Sequence, residues 1–169
     1  GRMQAIARRD AFARTRANIG LLQQGGFHVK LNMVVMRGIN DDEVTDFMAW
    51  SREEPLHVRF LECMPFDGNR WDWGKGVSEA EILSRAAERF GATGFERITD
   101  RPHDTARNYR ITGGSGTFAI ISSVTNPFCD TCNRIRLTAD GKLKNWLFSA
   151  GETDLLGALR RGEDLGPMI

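Results

Sequence analysis

Two stretches of this chain are apolar almost throughout, and each follows a helical pattern. Phe27-His28-Val29-Lys30-Leu31-Asn32-Met33-Val34-Val35-Met36 is interrupted mainly by Lys30 and Asn32, and Leu56 to Met64 forms a second such run. Before the first, Asp10 is placed to cap a helix whose apolar residues Phe12, Ile19 and Leu22 recur at helical spacing, with Gly25-Gly26 ending it. Between the two, Asn40 is placed to cap a helix with Asp41, Asp42 and Glu43 in its first turn, where the helix dipole favours carboxylates. Val44, Phe47 and Met48 form its buried stripe, and Pro55 stops it. Helix–strand–helix–strand, with strands apolar on both faces, predicts parallel strands covered by helices. A closed barrel of eight such units needs about 200 residues or more. At 169 residues the chain is too short for one.

After Pro65 the pattern changes. Asn69 to Gly76 reads as a Trp- and Gly-bearing loop, and Ser78-Glu79-Ala80-Glu81 is a capping box. The helix it opens buries Ile82, Leu83, Ala86 and Phe90 and closes at Gly91. Beyond Phe95 come short strands, Asn108 to Thr112 and Thr117 to Thr125, then a hairpin at Asp140-Gly141 and a last helix over Asp154 to Arg161. An α/β half is therefore expected before an α+β half with an antiparallel sheet, divided as residues 1–68 and 69–169.

Composition narrows the function. Lys plus Arg number 23 and Asp plus Glu 22, for a net charge of +1, so any anion site is local and no nucleic-acid partner is expected. No run reaches the ~18–20 apolar residues that span a bilayer, and no signal-like region follows Gly1. With three cysteines and no such signals, the chain reads as cytoplasmic, its thiols serving as ligands or remaining unpaired.

The densest chemistry lies in Phe128-Cys129-Asp130-Thr131-Cys132-Asn133-Arg134-Ile135-Arg136-Leu137-Thr138-Ala139-Asp140-Gly141. Two thiols at CxxC spacing suit zinc or an iron–sulfur cluster, and a redox dithiol or two unliganded thiols remain open. A redox dithiol usually opens a helix, whereas Cys132 leads into an alternating strand. Arg134 and Arg136, two apart on a strand, share a face. They are either a clamp for phosphate or carboxylate or a solvated strand face. Lys30 is a cation in an apolar strand, either snorkelling at an edge or holding an anion. Met64 alone reads as core.

Three blocks, Val29 to Glu43, Val58 to Asn69 and Phe128 to Gly141, resemble the C-terminal half of the GTP 3′,8-cyclase family, the molybdenum cofactor biosynthesis protein A enzymes. The resemblance covers about residues 10–161 in the family's order. It implies the last strands of an incomplete triosephosphate-isomerase-type (TIM) barrel, followed by an α+β domain truncated at its end. It further implies radical S-adenosylmethionine chemistry, a lyase reaction that converts GTP to (8S)-3′,8-cyclo-7,8-dihydroguanosine 5′-triphosphate. In the family one 4Fe–4S cluster sits on an N-terminal CxxxCxxC, and three C-terminal cysteines hold a second. By position, Cys129 and Cys132 match two ligands of the second cluster. Lys30, Arg134, Ile135 and Arg136 match GTP-binding residues, and Met64 and Arg59 match the S-adenosylmethionine contact and its strand neighbour.

Two departures stand out. The family's third cysteine falls fourteen residues after its second, where this chain has Trp146 in Lys144-Asn145-Trp146-Leu147-Phe148. No CxxxCxxC occurs among the 169 residues. The chain by itself is therefore expected to be catalytically inactive. It is expected either to belong with a missing N-terminal barrel half or to act as a degenerate nucleotide-binding or CxxC metal-binding module. Open strand edges would then invite pairing with that half or with a second copy.

Overall fold

A computed structural model describes residues 1–65, 72–128, 132–144 and 152–168. Its helices are α1 (Arg2–Ala7), α2 (Phe12–Gln24), α3 (Val44–Glu53), α4 (Glu79–Phe90) and α5 (Leu155–Arg160). The main sheet holds β1 (Val29–Val35), β2 (Leu56–Glu62), β3 (Phe95–Arg97), β4 (Arg107–Ile111) and β5 (Thr117–Ile121), in the order β1-β2-β5-β4-β3. β1 and β2 are parallel, as predicted, with Val29 opposite Leu56 and Val35 opposite Glu62. β5 adds in parallel on the far side of β2, while β4 runs antiparallel to both its neighbours, β5 and β3. A smaller antiparallel sheet joins β6 (Arg136–Leu137), β7 (Lys142–Lys144) and β8 (Thr153–Asp154). The protein is thus mixed α/β, and its main sheet is itself mixed. One sheet also crosses the division expected at residue 68, because β5 is hydrogen-bonded to β2.

The core occupies one face of the main sheet. Leu56, Val58 and Phe60 of β2 and Phe118 and Ile120 of β5 are fully buried. Val58, Phe60, Phe118 and Ile120 share one cluster with Val44 and Met48 from α3 and Ile82 and Ala86 from α4. Tyr109 stacks on Phe118 at 5.2 Å and 13°, and Phe60 meets Phe118 edge-on at 6.3 Å. Such offset and edge-to-face pairs are worth about 0.5–1.5 kcal/mol beyond the area they bury.

The capping box forms as expected. The Ser78 hydroxyl accepts from Glu81 N, and the Glu81 carboxylate accepts from Ser78 N at 3.0 Å. Asn40 behaves differently from the helix cap predicted for it. Its side chain accepts from Met36 N at 2.8 Å and donates to Val34 O at 2.9 Å, binding the end of β1 instead. The Asp140-Gly141 hairpin is present, with Gly141 at φ 78°, where a side chain would be strained.

The first helix pattern is only half fulfilled. α2 forms, but its N-cap is Ala11 rather than Asp10, and none of its residues is buried. Phe12 and Leu22 remain exposed. Periodicity gave the helix, but no apolar partner covers its stripe among the described residues.

Candidate functional site

The opposite face of the main sheet is open along β1, half-buried along β2 and closed at Ala119 of β5, which is fully buried. Its side chains follow from strand alternation, since residues directly paired across strands share a face. Lys30, His57 and Thr117 form one row across β1, β2 and β5, and Asn32, Arg59 and Ala119 form the next. Asn108 of β4 continues that second row. Lys30 and Asn32 are exposed, and His57, Arg59 and Thr117 are half-buried. The helices that cover these strands, α3 and α4, pack on the core face. Lys30 is an exposed cation on an open polar face rather than a charge inside a buried strand.

Two pairs of side chains on this face are tied together. Arg59 Nε donates to Asn32 Oδ1 at 2.8 Å, which leaves the outer guanidinium nitrogens available for a ligand. His57 Nδ1 lies 2.7 Å from Thr117 Oγ1. Burial, followed by the positive charges of Lys30 and Arg59, lowers the imidazole's pKa, with Asp104 opposing them. The face can therefore hold an anion, and its strands are fixed from behind by the packed core.

Met64 lies two residues beyond the end of β2, half-buried. Arg59, by contrast, lies within the strand. Strict alternation would put the two on opposite faces, but Met64 is outside the regular pleat. Arg134, Ile135 and Arg136 are exposed, with Arg136 opening β6 opposite Lys144. Cys132, just before them, is half-buried. Cys129 and Trp146 lie outside the described residues. The structure thus brings Lys30 and Arg59 together on one sheet face and carries the arginine pair on the smaller sheet.

Three features escaped the sequence reading. His57 is one, although alternation from Arg59 along β2 places it on the same face. Glu79 is the second. It accepts from Tyr109 OH at 3.1 Å and Ser122 Oγ at 2.9 Å and pairs with Arg107, so the start of α4 is tied to β4 and to the residue after β5. Burial first, then Glu79, pushes the Tyr109 phenol up to about 12. Glu62 is the third. Buried at the end of β2, it accepts from Val124 N at 2.7 Å and Thr125 N at 2.9 Å, holding the segment that leads to Phe128. A cleft of about 270 Å³ adjoins this segment, lined by Arg97, Asp100, Thr105, Arg107, Ser122 and Phe128. Its two arginines are already paired, Arg97 with Asp100 and Arg107 with Glu79.

Among the described residues, no group of three or more His, Cys, Asp or Glu side chains is placed to hold a metal ion. Also among them, no helix is long and apolar enough to cross a membrane.

Comparison with known proteins agrees with the three blocks. The Molybdenum Cofactor Synthesis C family matches residues 56–168. GTP 3′,8-cyclase, mitochondrial, of Arabidopsis thaliana is 42% identical over 164 residues, covering 96% of this chain and 42% of the relative. GTP 3′,8-cyclase of Moorella thermoacetica is 44% identical over 135 residues, 79% of this chain and 41% of the relative. Molybdenum cofactor biosynthesis protein 1 of Mus musculus is 42% identical over 162 residues, 95% of this chain and 25% of the relative. The chain spans less than half the length of each of these relatives. On the match across residues 56–168, the chain belongs to the Molybdenum Cofactor Synthesis C family.

Proposed function

We propose that this chain is the substrate-orienting portion of a GTP 3′,8-cyclase, a lyase of molybdenum cofactor biosynthesis that acts on GTP by radical S-adenosylmethionine chemistry. The observation that carries this reading is the placement of Lys30 and Arg59 in neighbouring rows on one face of parallel strands, in a chain of this family. In this reading residues 1–68 are the last strands of a partial TIM-type barrel, and the open face is its interior. Residues 69–169 extend the same sheet through β5, close the barrel mouth and bring Arg134, Ile135 and Arg136 to the nucleotide.

The chain's own residues bind and orient. Lys30 offers a point charge to a phosphate oxygen, and Arg59 offers the guanidinium nitrogens that Asn32 leaves open. Arg134 and Arg136, exposed and two apart, supply forked donors for the same nucleotide. Met64, just past the strand end, offers a soft apolar contact to S-adenosylmethionine. S-adenosylmethionine on a 4Fe–4S cluster supplies the radical in such enzymes, and the CxxxCxxC that would hold that cluster is not in this sequence. On its own, this chain therefore binds without turning over.

The donor set for a second cluster does not fit. Cys129 and Cys132 supply two thiolates, and Trp146, whose indole offers no metal-binding lone pair, holds the third position. No step is derived through it. This same feature favours a second reading, a nucleotide-binding module that has lost its cluster.

Equilibrium titration of the chain with GTP, alone and after anaerobic incubation with iron and sulfide, tests both readings. Specific binding that weakens at least tenfold in Lys30→Ala is expected, and no binding to the wild-type chain overturns the proposal. About four irons per chain would exclude the cluster-free module.

A further inference from the structure

We infer that His57 is a third, proton-coupled phosphate-binding group on the open sheet face, beside Lys30 and Arg59. The inference rests on the reading of that face as the one that receives the nucleotide.

The geometry is set by strand register. His57 stands on the central of three parallel strands, directly between Lys30 and Thr117, and Arg59 is the next residue of β2 on the same face. Any phosphate chain held by both Lys30 and Arg59 thus lies beside the imidazole. Thr117 engages Nδ1 at 2.7 Å, which fixes the ring. A hydroxyl both donates and accepts, so Thr117 serves the neutral ring by donating to Nδ1 and the charged ring by accepting from it. In the tautomer where Thr117 donates to Nδ1, Nε2 carries a proton in both states and is the donor left for a ligand.

The charges facing His57 come from every neighbouring element. Lys30 on β1 and Arg59 on β2 oppose its protonation, and Asp104, between β3 and β4, favours it. Farther across the sheet, Arg110 of β4 pairs in register with Glu96 of β3. Without a ligand, burial first and then the two cations hold the imidazole's pKa below its ordinary value. A polyphosphate seated between them reverses the local field and draws a proton onto His57. Binding thus takes up a proton and tightens as pH falls.

The test is calorimetric titration of the chain with inorganic triphosphate and with GTP at pH 6 and pH 8. Each pH is run in two buffers of different ionisation enthalpy, with wild type, His57→Gln, Thr117→Val and Lys30→Ala compared. His57→Gln keeps a donor but cannot titrate, and it serves as the blank for the ligand's own protonation. The expected result is proton uptake beyond that blank, with wild-type affinity rising by a further three- to tenfold between pH 8 and pH 6, about half to one pKa unit of coupling. Equal pH dependence in wild type and His57→Gln, with Lys30→Ala still weakening binding, overturns the role of His57 and leaves the phosphate-binding face intact. No binding of either ligand at either pH overturns both. Loss of the pH dependence in Thr117→Val at unchanged stability would support Thr117 as its positioning partner.

Discussion

The two faces of β2 carry alternate residues of one seven-residue strand, and they do opposite work. Leu56, Val58 and Phe60 point into the core, while His57, Arg59 and Leu61 point to the opposite side. The first set is selected by volume and shape, and the second by charge and hydrogen bonding. A strand this short can serve both because alternation separates them completely: a slip of one residue would exchange the two sets. The comparison teaches that stability and ligand binding here should respond to different substitutions in the same strand.

The core side should give the largest losses. Phe118→Ala removes a ring packed against Phe60, Phe95 and Tyr109. It is expected to cost roughly 3–5 kcal/mol in urea denaturation, enough to leave the chain largely unfolded. Glu79→Ala strands Tyr109, Ser122 and Arg107 at once, and a loss of roughly 3 kcal/mol is expected in the same measurement. Ser78→Ala loses the acceptor for Glu81 N and should cost about 1 kcal/mol.

Alkaline titration probes the same hub. The folded phenol of Tyr109 is pushed up to about 12 from an ordinary 10, so the fold favours its protonated form. That contribution is complete below pH 10 and is lost as pH rises from 10 towards 12. Wild type should therefore destabilise more steeply over this range than Tyr109→Phe, followed by circular dichroism.

The open side should give the smallest stability change. Arg59→Ala is expected to shift unfolding by no more than about 0.5 kcal/mol, yet to weaken GTP binding at least tenfold. A large loss of stability in Arg59→Ala would break the division between the faces. A loss of GTP binding in Ser78→Ala with no change in stability would break it from the other direction.

Much of this division could be read from the residues. Val44 and Met48, Ile82 and Ala86, and the Ser78 box followed from helical spacing and cap chemistry, which are local. Lys30 could be singled out because a charge in an apolar strand is conspicuous, whereas Arg59 came only through the resemblance to the family. His57 could not, since a half-buried histidine in a strand has many uses until its neighbours are known. The partnership of β2 with β5 was equally hidden: Thr117 to Ile121 is recognisable as a strand, but nothing local names a partner sixty residues earlier. The exposed stripe of α2 shows the reverse case, where a correct local pattern found no cover.

That β2–β5 pairing also orders events in time. Synthesis delivers β1, α3 and β2 before β5, and until β5 arrives that side of β2 is a sheet edge with an apolar face to protect. Its second neighbour exists only once Ile121 has been made, after α4 and the β3–β4 meander. Contacts this distant in sequence slow folding, since the closing of the loop precedes any gain from pairing. The nascent chain must therefore hold an unfinished sheet for the synthesis of some sixty residues, and that interval is when it is most open to wrong partners.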